Sequence, residues 1–337
     1  MTMGESGSSR RTFLKVAGGT VAAAGLGGAA VTTTSAATQS WSSVSSPTSA
    51  TLYGVSDTVA GPHAVGKSGN VLARRSDGTW EKVVQHGPAT RENMLKAVSV
   101  TDDGKRIWFA GSSGALGCYD VEKGMKYDYS APNEHTSTWE GITVTGTRES
   151  ESIYVTNGSG EVYDAHTDDK GCVSFDKLIK PGSGSKIASI DFQEANTSIG
   201  FAADTSGNCF KTSDSSETWK DVGVPNAQVK FYDTIAYKTD TAERVYIAAG
   251  GGRLFRRDCT CNRWTPVQLG SKAFRSIART SAKKVAVGSA GVGYENTGKG
   301  WTKMDMGTSA GLNEVALNRF SDGPEVAVGA SGTIVER

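Results

Sequence analysis

Short apolar runs alternate with glycine turns along most of the chain. Seven times after Val65, an apolar run leads into Gly-x-x-Gly or a close relative, and apolar alternation then resumes. The final glycines of these turns are Gly69, Gly114, Gly160, Gly207, Gly252, Gly291 and Gly332. A tight hairpin turn favours glycine because the turn needs a residue with positive φ. The residues two positions beyond are apolar in six units and glycine in one, so each departing strand is predicted to face inward: Val71, Leu116, Val162, Cys209, Leu254, Gly293 and Ile334.

The spacing of the turns indicates the fold class. By subtraction of their positions, successive turn glycines lie 45, 46, 47, 45, 39 and 41 residues apart. A period of roughly 40 to 50 residues, built from short strands and glycine turns, is typical of a β-propeller with one four-stranded sheet per repeat. The sequence therefore predicts an all-β, seven-bladed β-propeller of four-stranded antiparallel blades.

A second repeated element opens each unit, and it is a strand led by a large apolar anchor residue. The seven anchors are read as Leu52, Leu95, Trp139, Ile187, Tyr232, Phe274 and Leu312. Each anchor is followed by alternating small, polar and apolar residues, which is the pattern of a strand with one buried face. Seven predicted first strands thus match the seven turns.

Tryptophan marks the outer strand of four units and indicates how the ring closes. Trp80, Trp219, Trp264 and Trp301 follow their turn glycines by ten to twelve residues, and the second and third units carry weaker equivalents near Tyr127 and Phe175. The chain ends at Arg337 before a seventh such residue, whereas Trp41 precedes the first unit. We therefore expect the segment around Trp41 to supply the outer strand of the last blade. Such closure removes exposed sheet edges.

The N-terminus predicts export. The run S-R-R-T-F-L-K from Ser9 is a twin-arginine motif, followed by an Ala- and Gly-rich apolar stretch and a small-residue cleavage site near Ala37. The stretch is too short and glycine-rich for a permanent membrane span, although a frayed N-terminal helix is the plain alternative. Residues 1–37 are interpreted as a signal peptide and 38–337 as the propeller. The expected location is extracellular, at the cell surface, or periplasmic or lumenal.

The balance of charged residues limits the classes of partner that the protein is expected to bind. The whole chain has 36 Lys and Arg against 35 Asp and Glu, and the signal segment accounts for +2 of the net +1, which leaves about −1 for residues 38–337. Neither a nucleic-acid footprint nor an anionic-membrane footprint is implied by this balance. A protein or a cell-surface glycan is the expected partner, and a monomer is the expected state.

Cysteine and histidine give no cofactor or metal signature. Five cysteines do not make a disulfide framework, and Cys118 and Cys209 are predicted to act as small buried apolar residues. Cys259 and Cys261 are placed in the loop between the third and fourth strands of blade five, where a strained disulfide or half a metal site remains open. The four histidines, His63, His86, His135 and His166, share no ligand spacing and are expected in loops or at the surface.

One hairpin carries a family motif. The run T-S-D-S-S-E-T-W from Thr212 resembles the Asp-box, or BNR, hairpin, and degraded copies surround Trp80 and Trp301. In that family the aspartate braces the turn and the tryptophan packs between blades. The resemblance therefore assigns structural roles to Thr212, Asp214, Ser216, Thr218 and Trp219.

The order of apolar start, glycine turn and box tryptophan resembles a wider group of propellers. It is similar to the photosystem II stability and assembly factor-like branch of the WD40/YVTN/BNR-like repeat superfamily. The resemblance spans residues 38–337 and implies a non-catalytic docking surface for other proteins.

An enzyme is the rival interpretation. Sialidases share Asp-boxes, but their F/Y-R-I-P segment is approached only by Phe274-Arg275-Ser276-Ile277, which lacks the proline and lies in the sixth unit. The remaining alternative is a secreted propeller hydrolase or lyase acting on extracellular glycan. A hydrolase should bury a close carboxylate pair in the channel mouth, whereas a binder should show a broad mixed polar surface.

The residue after each anchor is the candidate binding position, because propellers bind where their innermost strands converge. These positions are Tyr53, Lys96, Glu140, Ala188, Asp233, Arg275 and Asn313, and all except Ala188 are assigned to the site. Lys96 and Arg275 would hold acidic groups, and Glu140 and Asp233 basic ones. The plain alternative is a solvated ring of mixed charges that offset one another. No catalytic residue, metal ligand or cofactor is assigned.

Overall fold

The computed structural model describes residues 40–168, 170–224, 226–258 and 261–337. The predicted signal peptide lies outside these residues, as does Cys259. Within the described residues, no helix is both long enough and apolar enough to cross a bilayer.

Seven four-stranded antiparallel sheets make up the fold, so the predicted seven-bladed propeller is confirmed. The first strand of each blade lines a central channel, and the second strand pairs with it. The first strands, from blade one to blade seven, are β2 (Leu52–Ser56), β6 (Leu95–Val100), β10 (Trp139–Thr145), β14 (Ile187–Gln193), β18 (Phe231–Lys238), β22 (Phe274–Arg279) and β26 (Leu312–Ala316). The second strands are β3 (His63–Gly66), β7 (Arg106–Gly111), β11 (Ser152–Asn157), β15 (Asn196–Asp204), β19 (Glu243–Ala249), β23 (Lys284–Gly288) and β27 (Val326–Gly329).

The third and fourth strands of each blade lie further from the channel. The third strands are β4 (Val71–Arg74), β8 (Leu116–Asp120), β12 (Val162–Thr167), β16 (Cys209–Thr212), β20 (Arg253–Asp258), β24 (Gly293–Asn296) and β28 (Ile334–Glu336). The fourth strands are β5 (Trp80–Val84), β9 (Met125–Asp128), β13 (Val173–Ile179), β17 (Lys220–Asp221), β21 (Arg263–Gln268), β25 (Trp301–Met304) and, for blade seven, β1 (Ser42–Val44).

The turns between second and third strands have the predicted geometry. All seven turn glycines adopt positive φ, from 66° to 89°. An L-residue is strained there, and glycine is not. The residues two positions beyond these glycines are buried on the third strands, as the alternation predicts.

The two chain ends close the ring, as predicted. β1 pairs antiparallel with β28, with Ser42 opposite Glu336 and Val44 opposite Ile334. Trp41 is buried against residues of blades six and seven, and the Arg337 guanidinium lies 5.1 Å from the centroid of its ring. Blade seven is therefore completed by strands from opposite ends of the sequence.

The hydrophobic core lies between the blades. In the described part of the chain, seven apolar clusters form, one at each interface between neighbouring blades. Outer-strand tryptophans belong to this packing: Trp80 packs among residues of blades one and seven, and its Nε1 donates to Glu336 Oε1 at 2.8 Å. A buried indole N–H needs such a partner. Adjacent sheets are thus held face to face by apolar burial and by a few polar contacts.

Gly332→Ala tests the turn that meets the closing segment. A Cβ at Gly332 would lie 1.9 Å from the Thr48 carbonyl oxygen, and the residue has a φ of 72°. We expect this substitution to lower the free energy of unfolding by about 3 kcal/mol, measured by urea denaturation. Gly158→Ala is the matched control, because a Cβ there meets nothing within 4 Å. Equal losses in the two variants would contradict the account.

Candidate functional site

The seven first strands enclose a polar channel of about 730 Å³. At the end where these strands begin, the channel opens at a start-side mouth formed by the residue after each anchor. At the opposite end, an end-side mouth is lined by Asp102, Glu194, Arg279 and Arg319. Polar side chains at both mouths come from loops and strand ends of several blades, so each mouth gathers residues distant in sequence.

A β-bulge sets the start-side mouth in every blade. The pairing of each first strand with its second strand slips by one residue directly after the anchor. A bulged residue leaves the regular ladder and its side chain is re-aimed. The bulged residues are Tyr53, Lys96, Glu140, Ala188, Tyr232, Arg275 and Asn313, and all seven line the channel.

The predicted ring is wrong by one residue in blade five. Phe231, not Tyr232, pairs with the last residue of its second strand, as Leu52 does in blade one. Tyr232 therefore occupies the bulge position, and Asp233 lies one residue further along the strand. Two aromatic residues, Phe231 and Tyr232, follow one another there, and either could be the anchor. The sequence pattern gives no signal that the second of them is the bulged residue.

Ion pairs occupy part of the start-side mouth. The Lys96 ammonium donates to the Glu140 carboxylate, and Lys186 Nζ lies 3.3 Å from the same carboxylate oxygen. Asn313 Nδ2 donates to the Leu52 carbonyl at 2.8 Å, which links blade seven to blade one. Lys96 and Glu140, both predicted to bind charged groups of a partner, are thus paired with each other within the mouth. Lys186 adds a cation that the sequence analysis did not select.

Arg275 offers an uncommitted cation. Its guanidinium lies 4.1 Å from the centroid of the Tyr232 ring, which is stacking distance for a cation–π contact. Arg275 and Lys230 are exposed, and neither forms an ion pair within the described residues. The start-side mouth therefore carries four cations, Lys96, Lys186, Lys230 and Arg275, against the Glu140 carboxylate.

Deeper in the channel, side chains of one blade bond to the backbone of the next. Each first strand is an inner sheet edge, so part of its backbone N–H groups have no strand partner. We call the acceptors for these N–H groups the brace residues. They are Ser99, Ser189, Asp191, Asp233 and Ser276, which accept from Val144, Thr234, Ala236, Ile277 and Val315 of the following blade at 2.7–3.3 Å.

The Asp233 carboxyl group, which the sequence analysis assigned to partner binding, forms structural hydrogen bonds instead. Asp233 Oδ1 accepts from Ser189 Oγ at 3.0 Å and from the Thr234 N–H at 2.8 Å, while Oδ2 accepts from Ile277. Three donors on one buried carboxyl group make it part of the scaffold. Replacing it with alanine would leave buried N–H groups without acceptors, which destabilises the ring.

Asp233 also has an acidic neighbour. Glu314 lies beside it in the channel and accepts from Ser276 Oγ at 2.7 Å. Burial, together with the Asp233 carboxyl group, raises the pKa of Glu314 well above its ordinary value. The channel therefore combines the buried carboxyl pair that the hydrolase alternative requires with the broad polar mouth that a binder requires. The oxygens of Asp233 are occupied by structural donors, which favours the binder.

The Asp-box hairpin is braced from within. Asp214 Oδ1 accepts from the Thr218 N–H at 2.9 Å and from Thr212 Oγ1 at 2.7 Å, and Oδ2 accepts from Thr218 Oγ1. These hydrogen bonds lower the pKa of Asp214 to about 2. Trp219 Nε1 donates to Ser216 Oγ at 3.1 Å, and its ring packs edge-on against Phe192. These hydrogen bonds lie within the hairpin, and the Trp219 ring packs against the apolar cluster between blades three and four.

The cysteine and histidine positions follow the sequence analysis except at His63. Cys118 and Cys209 are buried on β8 and β16. Residues 40–168, 170–224, 226–258 and 261–337 contain no group of three His, Cys, Asp or Glu that could hold a metal ion. His63, expected at the surface, is instead buried at the start of β3, and this burial lowers its pKa to about 4. Every residue of this short strand is buried, and the apolar neighbours Ala64 and Val65 were the signal that His63 would be buried as well.

No family model matches the chain, and no curated protein matches it. Among the solved structures that are similar in fold are two of YCF48. YCF48 bound to D1 peptide has 15% identity and a TM-score of 0.65 over 88% of this chain and 94% of that one. YCF48 from Cyanidioschyzon merolae has 16% identity and a TM-score of 0.65 over 88% and 98%.

The chain has the YCF48 propeller fold. This likeness agrees with the resemblance to photosystem II assembly factor-like propellers that the repeat pattern indicates. At 15–16% identity, the comparison establishes the architecture alone. The candidate site is therefore argued from the residues of this chain.

Asp191→Asn tests the brace residues through pH. Burial is the main cause that raises the pKa of Asp191 to about 7, so the folded state keeps its proton while the unfolded chain loses it from about pH 4 upward. The contribution of this group to stability therefore falls between about pH 4 and pH 7 and then levels off. Asparagine keeps an acceptor for Ala236 and removes the titration.

We expect Asp191→Asn to flatten the fall and to stabilise the protein at pH 8. Channel water reduces the gain to about 1 kcal/mol from the about 4 kcal/mol that three pKa units represent. The measurement is urea denaturation between pH 4 and pH 8, with Asp240→Asn, exposed in the loop between β18 and β19, as control. An unchanged pH profile in Asp191→Asn would show that this carboxyl group ionises normally in the folded protein.

Proposed function

We propose that this protein is an exported, non-catalytic docking module that holds a segment of a partner protein at the start-side mouth. The observation that carries the proposal is the ring of bulged residues. The same backbone device presents one side chain per blade to one opening, and the residue type differs from blade to blade. The scaffold is thus constant while the presented chemistry is specific to this chain.

The charges of the mouth set the kind of segment. Arg275 stacks on Tyr232, and Lys186 and Lys230 stand near the edge, so acidic side chains of a partner have cations to meet. Glu140 already holds two lysines, and this pairing keeps them aligned toward the opening. Tyr53 and Tyr232 add flat amphipathic surfaces of the kind that recur in protein interfaces.

The fold comparison supports a protein partner. The similar YCF48 structure is described as bound to a D1 peptide, which concerns that protein. Propellers serve unrelated tasks, so the comparison favours the class of partner and does not name it. We expect the module to act as a monomer, with a cell-surface glycan as the competing ligand class.

A triple substitution at the mouth tests the docking site. Replacing Lys96, Glu140 and Arg275 with alanine should leave the melting temperature nearly unchanged, because both members of the half-buried Lys96–Glu140 pair are removed together and Arg275 is exposed. Asp233 is left intact, since it is a brace residue. We expect peptides selected on the wild-type protein from a displayed random library to bind the variant at least about tenfold more weakly by biolayer interferometry.

Lys82, Lys303 and Asp240 supply the matched control, two cations and one anion exposed away from the channel. Their joint replacement should leave peptide affinity unchanged. Equal affinity of the mouth variant would remove the site from the start-side mouth. Selection of glycans in place of peptides on an array would overturn the protein partner.

The hydrolase alternative has its own test. If the buried carboxyl pair were catalytic, glycan or peptide substrates would be cleaved, and Glu314→Gln would abolish turnover while preserving the hydrogen bond from Ser276. We expect no turnover by either protein. Cleavage that depends on Glu314 would replace the docking proposal with an enzymatic one.

Export rests on the twin-arginine motif and is tested separately. Replacing Arg10 and Arg11 with lysine should retain the tagged, folded chain in the cytoplasm of a bacterial host with a working twin-arginine pathway. The wild-type chain should reach the exported fraction in that host and fail to do so in a host without the pathway. Export of the double-lysine variant would refute this route.

A further inference from the structure

An ion-pair bridge crosses the end-side mouth. Glu194, in the turn between β14 and β15 of blade four, lies 3.0 Å from Arg319 of blade seven and 3.4 Å from Arg279 of blade six. Blades four and seven are three steps apart, which is the largest separation in a ring of seven. One carboxylate is therefore shared by two guanidinium groups that reach it over the channel opening.

Further cations gather beside Arg279, at the cleft between blades five and six. The Tyr237 and Tyr246 rings stack nearly parallel, with centroids 6.5 Å apart. The Arg279 guanidinium lies 4.3 Å from the Tyr237 centroid, and Lys284 Nζ lies 5.7 Å and 5.4 Å from the two rings. Both cations therefore share the same tyrosine surface.

The cluster has more positive than negative groups. Arg244 and Arg256 also act on Tyr237, and Asp258 approaches Arg244 at 3.8 Å. Together the end-side cluster comprises the cations Arg244, Arg256, Arg279, Lys284 and Arg319 and the carboxylates Glu194 and Asp258. The carboxyl groups of Asp57 and Asp191 border it, beside Arg319 and Arg279.

Lys284 is a half-buried member of the cluster. Within the described ranges, no carboxylate lies within ion-pair distance of its ammonium group. Loss of hydration, and then the charge of Arg279, lower its pKa. A half-buried ammonium group beside a guanidinium group opposes folding, and an added anion would relieve that repulsion.

The Glu194 carboxylate occupies the position between Arg279 and Arg319 that an added anion would take. Its side chain is 53% exposed and sits on a two-residue turn, so it can leave the arginines without disturbing packed structure. Two guanidinium groups around one carboxylate form the arrangement that binds oxyanions in general. A ligand oxyanion would therefore compete with Glu194 for Arg279 and Arg319.

We propose that the end-side cluster is an oxyanion-binding site, in which Arg279 and Lys284 hold a phosphate-type group and Glu194 is the internal competitor. A phosphate-type group suits the site better than a single carboxylate because its acceptor oxygens can meet Arg279, Arg319 and Lys284 together. The site lies at the opposite end of the channel from the proposed docking mouth and does not depend on it.

The experiment uses inorganic phosphate as the probe and residues 38–337 as the protein, at low ionic strength. Isothermal titration calorimetry should show saturable binding that Lys284→Met weakens at least about tenfold, because methionine keeps the contact with the tyrosines and removes the charge. Lys284→Arg should restore binding. Lys303→Met, on the exposed surface of β25, is the matched control and should bind as the wild type does.

Glu194→Gln moves in the opposite direction. Removing the competing carboxylate should tighten phosphate binding by about tenfold, a result that a merely structural Glu194 would not produce. Acetate should compete only weakly, and equally strong binding of acetate would overturn the assignment to phosphate-type groups. Absence of saturable phosphate binding, or equal affinity of wild type and Lys284→Met, would overturn the site itself.

Discussion

The hydrogen bonds between successive first strands are the constraint on which the channel depends. In a propeller the innermost strand of every blade is a sheet edge, so part of its N–H groups have no partner in their own sheet. Here serine and aspartate side chains of one blade accept those N–H groups from the next. These contacts join blade two to blade three and link blades four to seven, so they satisfy the backbone and fasten neighbouring blades around the channel.

This constraint also explains why side chains in the middle of the channel and side chains at its start-side mouth have different roles. Side chains in the middle of the channel are committed to the ring, and Asp233 shows how a charged residue there becomes scaffold. Side chains at the bulges escape the ladder: Lys96 and Glu140 pair with each other across the mouth, Arg275 stacks on Tyr232, and Asn313 donates to the Leu52 carbonyl. Chemistry specific to this chain can therefore vary at the mouth while the interior stays constant.

The fold was predictable because its determinants repeat. Glycine at positive φ, an apolar residue two positions on, and an outer tryptophan recur at a near-constant interval, and Trp41 supplied the missing member. The mouth was predictable only in part: one bulged residue was misplaced, since Phe231 and Tyr232 are equally plausible anchors in the pattern. The brace residues and the end-side cluster were not predictable from the sequence. The N–H partners of the brace residues lie 39 to 45 residues away, Arg279 and Arg319 lie 85 and 125 residues from Glu194, and polar residues on a strand read as solvent-facing.

Joining β1 to β28 has a consequence for synthesis. As the polypeptide leaves the ribosome, β1 has no partner until β28 emerges, so blade seven cannot be completed before then. Six blades can assemble in order, while their two outermost flanks stay open to wrong pairing. Emergence of β28 is thus the event that seals the circle, and a truncation that removes it would leave β1 unpaired.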